Sequence, residues 1–377
     1  MTDISPAKKE EFMRRAIELA KRARGWTNPN PLVGAVIVKN GEIVAEGFHK
    51  KIGALHAERD ALLDAKNRGI DVEGATMFVT LEPCCHTGRQ PPCTDAIIES
   101  KIARVVVGSR DPNPLVNGKG IDLLKSAGIQ VERDFLKDEC DSLNPIFFHY
   151  IRTKMPYIIV KYAMTADGRT ATVTGKSKWI TGEKARENVH RTRASVAAVM
   201  TGIGTVKADD PLLTCRLDDG KEHHQPERIV IDTNLEIPEE SALVKSAKTS
   251  KVTVIYGFFN PHTSDMREWL FHQGVETASF SLDEKHRINI KEVLEYLASI
   301  GIDSVLVESG GELAASVLPF ANEIHAYIAP KIFGGVSDIR VPIRGEGVDS
   351  PDDAVQFSLA GIEQFDDDVL LKYKVLQ

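Results

Sequence analysis

Residues 56–93 read HAERDALLDAKNRGIDVEGATMFVTLEPCCHTGRQPPC, and this stretch decides the fold of the N-terminal half. His56 to Ala65 reads as a helix. Thr76 to Leu81 reads as a strand that ends in Glu82-Pro83-Cys84, and Cys93 follows nine residues after Cys84. One imidazole and two thiolates make a three-ligand zinc site with its fourth tetrahedral position left for water. An open position distinguishes a catalytic site from a structural one, because zinc lowers the pKa of a bound water to roughly 7.

A carboxylate beside such a metal can carry protons without being a ligand, and Glu58 is the candidate. His-x-Glu followed by Pro-Cys and a later Cys is the pattern of zinc-dependent base deaminases. The spacing departs from it, since the usual Cys-x-x-Cys is opened here into Pro83-Cys84-Cys85-His86-Thr87-Gly88-Arg89-Gln90-Pro91-Pro92-Cys93. A structural zinc site with Cys85 or His86 as fourth ligand is the competing reading. Glu58 at deaminase spacing and the helix-then-strand context favour catalysis.

Around this stretch the pattern is alternating. Glu10 to Ala23 has helical apolar spacing, and a loop with two prolines, Asn28-Pro29-Asn30-Pro31, follows. Val33 to Val38 and Ile43 to Phe48 read as strands joined at Asn40-Gly41, a strong hairpin signal. Thr94 to Ser100 and Ile121 to Ala127 read as helices flanking a strand at Arg104 to Gly108. Asn144 to Pro156, with two prolines and an aromatic cluster, breaks the rhythm, and the domain boundary is placed there, giving domains 1–149 and 150–377. Beyond it strands are expected at Tyr157–Ala163, Val196–Met200, Arg228–Asp232, Val252–Tyr256, Ser304–Glu308 and Glu323–Ile328. Helices are expected at Glu183–Ala194, Ser264–His272, Lys291–Ile300 and Glu312–Phe320, with an exposed loop at Asp218–Gln225. Strands alternating with helices in both halves imply an α/β layered architecture.

Composition limits what this chain can be. Its 377 residues favour two domains. The 42% hydrophobic and 27% charged residues are those of a soluble globular protein. The net charge of −7 argues against a broad nucleic-acid footprint. The polar start from Met1 to Glu10 and the lack of a long apolar run point to a cytoplasmic protein without a membrane span. Five cysteines, three of them within ten residues, fit a metal site rather than a disulfide framework.

Asn28 through Val36, Gly47-Phe48-His49, His56-Ala57-Glu58 and Pro83 through Cys93 together resemble the bifunctional riboflavin-biosynthesis deaminase/reductase family, which shows the opened cysteine spacing. The resemblance covers essentially the whole chain. It implies a cytidine-deaminase-like zinc domain that deaminates a diamino-ribosylamino-pyrimidinone 5′-phosphate. His56, Cys84 and Cys93 would be the zinc ligands and Glu58 the proton carrier, with Asn28, His49 and His86 against the substrate.

The second half has no strict Gly-x-Gly-x-x-Gly, as Gly202-Ile203-Gly204 lacks the third glycine. Polar residues instead gather at strand exits: Lys161 to Arg169, Ser177 to Gly182, Gly204 to Pro211 and Glu308 to Gly311. Open α/β sheets bind ligands there, and a Gly-Gly turn into a helix offers bare N–H groups to phosphate. These segments resemble the reductase half of the same family, similar in fold to dihydrofolate reductase. The resemblance implies that NADPH reduces the ribosyl group of the deaminated product to ribityl. Ser177, Arg193, Asp209, Arg216 and Glu308 would bind substrate. Ala163, Trp179, Thr205, Gly310 and Gly311 would line the cofactor, with the helix start to Ser316. Arg193 and Arg216 suit the 5′-phosphate, Asp209 is a candidate for proton transfer, and a homo-oligomer is expected. Two rivals remain at this stage: a tRNA base deaminase, and a structural zinc module fused to a dinucleotide-binding protein.

Overall fold

The computed structural model describes residues 4–88, 90–258, 261–335 and 340–376, with the side chains of 261 and 262 outside the description; so is Arg89, within the opened cysteine spacing. The chain divides into two compact units, Met1–Lys154 and Met155–Gln377.

The first unit is built on five strands: β1 (Gly34–Lys39), β2 (Glu42–Phe48), β3 (Thr76–Leu81), β4 (Arg104–Ser109) and β5 (Gln130–Glu132), in the order β2-β1-β3-β4-β5. The β1–β2 hairpin turns on Asn40 and Gly41, which have φ of 54° and 81°, and Lys39 pairs with Glu42. Positive φ at both turn positions matches the right-handed twist of the strands, which is why Asn-Gly is favoured there. β1 also pairs antiparallel with β3, and the β3, β4 and β5 pairings are parallel.

Helices cover both faces of this sheet. Pro6–Lys21 buries Phe12, Met13, Ala16, Ile17, Leu19 and Ala20 in a cluster with Val36, Val38, Phe78 and Val106. Ala57–Asn67 buries Ala57, Ala61 and Ala65 on the opposite face, against Ala35, Ile37, Met77 and Val79. This second helix lies close on β2: a Cβ at Gly47 would collide with the Ala61 amide nitrogen and the Ala57 carbonyl. The segment after Asn144 is helical, Pro145–Thr153, where a break was expected. Pro145 occupies the first turn, where its missing N–H has no partner to lose, and Phe147 and Phe148 pack on Leu81.

The second unit holds a nine-stranded sheet. Its strands are β6 (Tyr157–Thr165), β7 (Ala198–Gly202), β8 (Glu227–Ile231), β9 (Val252–Tyr256), β10 (Val275–Ser279), β11 (Ser304–Glu308), β12 (Glu323–Ala329), β13 (Phe357–Phe365) and β14 (Asp368–Val375). The order is β10-β9-β8-β7-β11-β6-β12-β14-β13. All pairings are parallel except β12–β14 and β13–β14. Parallel strands covered by helices on both faces read as continuous apolar runs, and the buried core draws on β6, β7, β8, β9 and β11. β11 lies between β6 and β7, so the order reverses beside the first strand of the unit, and ligands bind at the carboxyl ends around such a point.

Further features of the second unit depart from the expected pattern. Ile203–Asp209 is a helix rather than a strand-exit loop. β10 and the β13–β14 hairpin were not expected at all. β13 is largely exposed along its length and carries a register shift at Gly361, so its sequence lacks a clean alternation. The Gly47 contact gives a test: Gly47→Ala should destabilise the first unit by roughly 1–3 kcal/mol or more, because backbone atoms must move. Urea unfolding followed by far-UV circular dichroism measures this.

Candidate active sites

The helix Ala57–Asn67 starts at His56, so His56 and Glu58 stand at its N-terminal end. β3 delivers Cys84 three residues past its last residue, and Cys93 opens the helix Cys93–Glu99. These elements bring one ligand atom each from His56, Cys84 and Cys93 within 4.8 Å of one another. The His56 Nδ1 lies 3.5 Å from the Cys84 Sγ and 3.4 Å from the Cys93 Sγ. A tetrahedral zinc with ordinary bond lengths sets its N and S ligands about 3.5 Å apart. The residues present therefore fit zinc. Cys85 and His86 do not join the cluster among the described residues, and the Cys85 thiol instead faces the Leu115 carbonyl at 3.7 Å.

The surroundings brace these ligands. The Cys93 amide donates to the Cys84 sulfur at 3.4 Å, and the Thr94 amide to the Cys84 carbonyl at 3.2 Å. Arg59 donates to the carbonyls of Pro91 and Pro92 at 3.2 and 2.7 Å, returning the opened loop to the helix that carries Glu58. Glu82 is 3% exposed and accepts the amides of Gly118 and Ile121 at 3.0 and 3.2 Å. Gly120 packs directly on the Pro83 carbonyl with no room for a Cβ. Glu82 thus caps the helix Lys119–Ser126 and fixes the peptide that leads into Cys84.

Glu58 is 3% exposed. Burial pushes its carboxyl up to about 7, and the Cys84 thiolate adds to the rise. His49 packs edge-on to His56 with ring centroids 5.5 Å apart. Both His49 nitrogens are used within the protein: Nδ1 bonds the Leu55 carbonyl at 2.9 Å, and Asn30 Nδ2 donates to Nε2 at 3.1 Å. Asn28 Nδ2 and His86 Nδ1, in contrast, are buried polar atoms with no partner among the described residues. Native interiors rarely leave such atoms unpaired without a role.

In the second unit the buried Glu308, at the end of β11, meets a bidentate fork from Arg193, with Nε to Oε1 at 2.6 Å and Nη2 to Oε2 at 3.0 Å. Lys161 of β6 stands 3.6 Å from the same carboxylate. Burial opposes the Glu308 charge, but the two cations hold its pKa well below the ordinary carboxylate range. Arg193 is therefore paired with Glu308, and its Nη1 donates to the Thr214 carbonyl at 3.1 Å. Arg216 is exposed and donates to the Thr214 hydroxyl at 3.0 Å, so it is the accessible guanidinium.

Ser177 and Asp209 meet each other, the hydroxyl donating to Oδ1 at 2.7 Å. Thr205 accepts the Gly310 amide at 3.1 Å. A Cβ would have room at Gly310 but not at Gly311, where the Arg344 and Val341 backbone is packed. Trp179 is 65% exposed, with the Arg186 guanidinium 4.5 Å from its ring centroid. Ala163 lies within β6 beside Tyr327 of β12. Sequence reasoning passed over Glu82, Arg59 and Lys161 as site residues. The signal for Lys161 was a lysine interrupting an apolar strand. Glu82 and Arg59 gave none, because their partners are backbone atoms distant in sequence.

Two outcomes follow. Glu82→Gln keeps the shape but turns one acceptor into a donor facing an amide. It should cost about 1–3 kcal/mol and weaken zinc retention, measured by metal content after dialysis against a chelator. His190 supplies a pH test. Burial, then the Arg193 and Arg216 charges, lower its pKa to about 4. The folded chain stays unprotonated there while the unfolded chain takes up a proton below about 6.5. Stability from this group is present above that pH and is lost as the pH falls toward 4. His190→Gln should flatten the decline between those limits in urea titrations.

The chain was compared with known proteins. The model of the cytidine and deoxycytidylate deaminase zinc-binding region matches residues 6–109, and that of the RibD C-terminal domain matches residues 156–371. The riboflavin biosynthesis protein RibD of Actinobacillus pleuropneumoniae is 49% identical over 380 residues, covering 100% of this chain and 96% of that protein. RibD of Escherichia coli K12 is 40% identical over 376 residues, covering 96% and 98%. Acinetobacter baumannii RibD superposes with a TM-score of 0.87 at 37% identity, covering 98% of this chain and 99% of that one. The Thermotoga maritima deaminase/reductase does so with a TM-score of 0.84 at 38% identity and the same coverage. A zinc-binding deaminase module and a pyrimidine-reductase module thus lie in one polypeptide, and the chain belongs to the RibD family of bifunctional deaminase/reductase enzymes of riboflavin biosynthesis.

Proposed function

We propose that the N-terminal unit hydrolytically deaminates 2,5-diamino-6-(5-phosphoribosylamino)pyrimidin-4-one, and that the C-terminal unit then reduces the ribosyl group of 5-amino-6-(5-phosphoribosylamino)uracil to ribityl. The convergence of His56, Cys84 and Cys93 beside the buried Glu58 carries this reading. The similar Thermotoga maritima protein is a diaminohydroxyphosphoribosylaminopyrimidine deaminase and 5-amino-6-(5-phosphoribosylamino)uracil reductase, which supports the same pair of activities here.

His56, Cys84 and Cys93 would hold zinc, which when bound supplies a Lewis acid that lowers the pKa of a water. Glu58 takes one proton from the attacking water and delivers it to the ring nitrogen as the C–O bond forms. It then moves the remaining hydroxyl proton to the amino group, which leaves as ammonia as the C–N bond breaks and the carbonyl forms. Its raised pKa suits transfer in both directions near neutral pH. Asn28 and His86 offer the pyrimidine, ribose or phosphate the polar atoms left unpaired in the fold. His49 forms a wall of the site through its ring, since its nitrogens are occupied.

In the reductase unit NADPH, when bound, supplies the hydride, and the protein's task is alignment. Ala163, Trp179, Thr205, Gly310 and Gly311 line its site. Ser177, Asp209 and Glu308 meet the ribosyl portion of the substrate, with Asp209 placed to hold a proton through its bond to Ser177. Arg216 meets the phosphate. Arg193 acts through Glu308, keeping that carboxylate ionised and oriented.

The experiment supplies the full chain with the diaminopyrimidine phosphate. Ammonia release without NADPH, and NADPH oxidation only after deamination, is the expected result. Deamination of tRNA in place of the small molecule would overturn it. Glu58→Gln should keep zinc, lose deamination by about 10²–10⁴-fold, and still oxidise NADPH when given the deaminated product. Near-normal ammonia release from that variant would remove Glu58 from its role.

A further inference from the structure

We infer that Lys331, which has no place in the chemistry above, is a positioning residue that sets Trp179 for the reductase cofactor. The inference rests on the proposed cofactor role of Trp179. Three observations carry it.

The loop after β6 leaves the sheet at Ala166 and returns to the helix Glu183–Ser195. Ser177 and Trp179 ride on its return arm. Both ends of this loop are tied to one residue just past β12. The Ala166 amide donates to the Lys331 carbonyl at 2.9 Å. The Lys331 ammonium donates to the Trp179 carbonyl at 3.0 Å and to the Ile180 carbonyl at 2.6 Å. One side chain therefore holds two consecutive peptides against the point where the loop began.

The mooring of Lys331 is itself firm. Its amide donates to the Ala329 carbonyl at 2.8 Å. The next residues are held by Asp167, which accepts the Phe333 and Gly334 amides at 3.2 and 2.7 Å. The return arm has further fixed points on either side of Trp179. Lys178 donates to the Asp209 carbonyl at 2.7 Å, and the Gly182 amide donates to Asp368 at 2.6 Å.

Among these ties, those of Lys331 are made to the carbonyls of Trp179 itself and of the residue after it. The Trp179 side chain is 65% exposed, and its ring contact is with Arg186. An indole this exposed takes much of its position from its backbone. Hydrogen bonds to a charged donor are the stronger kind, and Lys331 supplies two to the consecutive peptides that follow Trp179.

The test uses the full-length enzyme and three Lys331 variants. Lys331→Met keeps the aliphatic stem and removes the donors. It should raise the KM for NADPH by about tenfold, with kcat nearly unchanged and deamination, which is carried by the other unit, unaffected. Lys331→Arg should recover most of the loss. In a W26F/W269F background Trp179 is the sole tryptophan, and Lys331→Met should make its emission more accessible to acrylamide quenching. Where Lys331→Met lowers the urea midpoint, Lys331→Gln supplies the same comparison. A KM for NADPH within about twofold of the unsubstituted enzyme overturns the inference, and so does a loss confined to kcat, which would assign Lys331 to the chemical step. Failure of the unsubstituted enzyme to oxidise NADPH would instead overturn the proposed function, before Lys331 is in question.

Discussion

Two cysteine sulfurs and an imidazole nitrogen brought within 4.8 Å of one another are the constraint on which the first unit depends. Two thiolates at that spacing repel unless a cation or protons lie between them. The ligands come from the start of one helix, the exit of a strand and the start of a second helix, so the sheet must hold its neighbours in register. The bracing follows from that need. Glu82 caps a third helix while fixing the Cys84 approach, Arg59 gathers the loop that returns to Cys93, and Gly47 lets the Glu58 helix lie on β2.

The second unit solves a different electrostatic problem. Its centre is a buried carboxylate, Glu308, whose charge is retained because a guanidinium fork and an ammonium face it. Removing either partner of such a buried set leaves an uncompensated charge, which costs more than the intact set contributes. The arrangement redistributes the roles of the two arginines. Arg193 is paired with the carboxylate, and Arg216 is exposed beside Thr214.

Much of the fold was legible in local pattern. Asn40-Gly41 marked a hairpin because only a few residue types adopt positive φ at both turn positions. The parallel strands were legible as short apolar runs. What escaped lacked such a mark. Pro145 starts a helix where a proline was read as a break, because the first turn tolerates it. Gly204 to Pro211 was read as a polar strand exit, yet Ile203–Asp209 is helical. β13 is the largely exposed edge strand of its sheet, where apolar alternation is not demanded.

By itself the sequence determined the chemistry available: an imidazole, two thiolates and a carboxylate at spacings that suit zinc and proton transfer. That is possible because such a motif carries its residue types in the chain order and local elements that the fold uses. Only the tertiary structure decided which charges are free. Arg193 and Arg216, or His49 and Asn28, are alike as candidates when read along the chain. Their hydrogen bonds separate them, and those bonds run to partners as far off as Glu308 for Arg193. Burial makes each such pairing obligatory, because a buried polar atom must find a partner wherever the fold puts one.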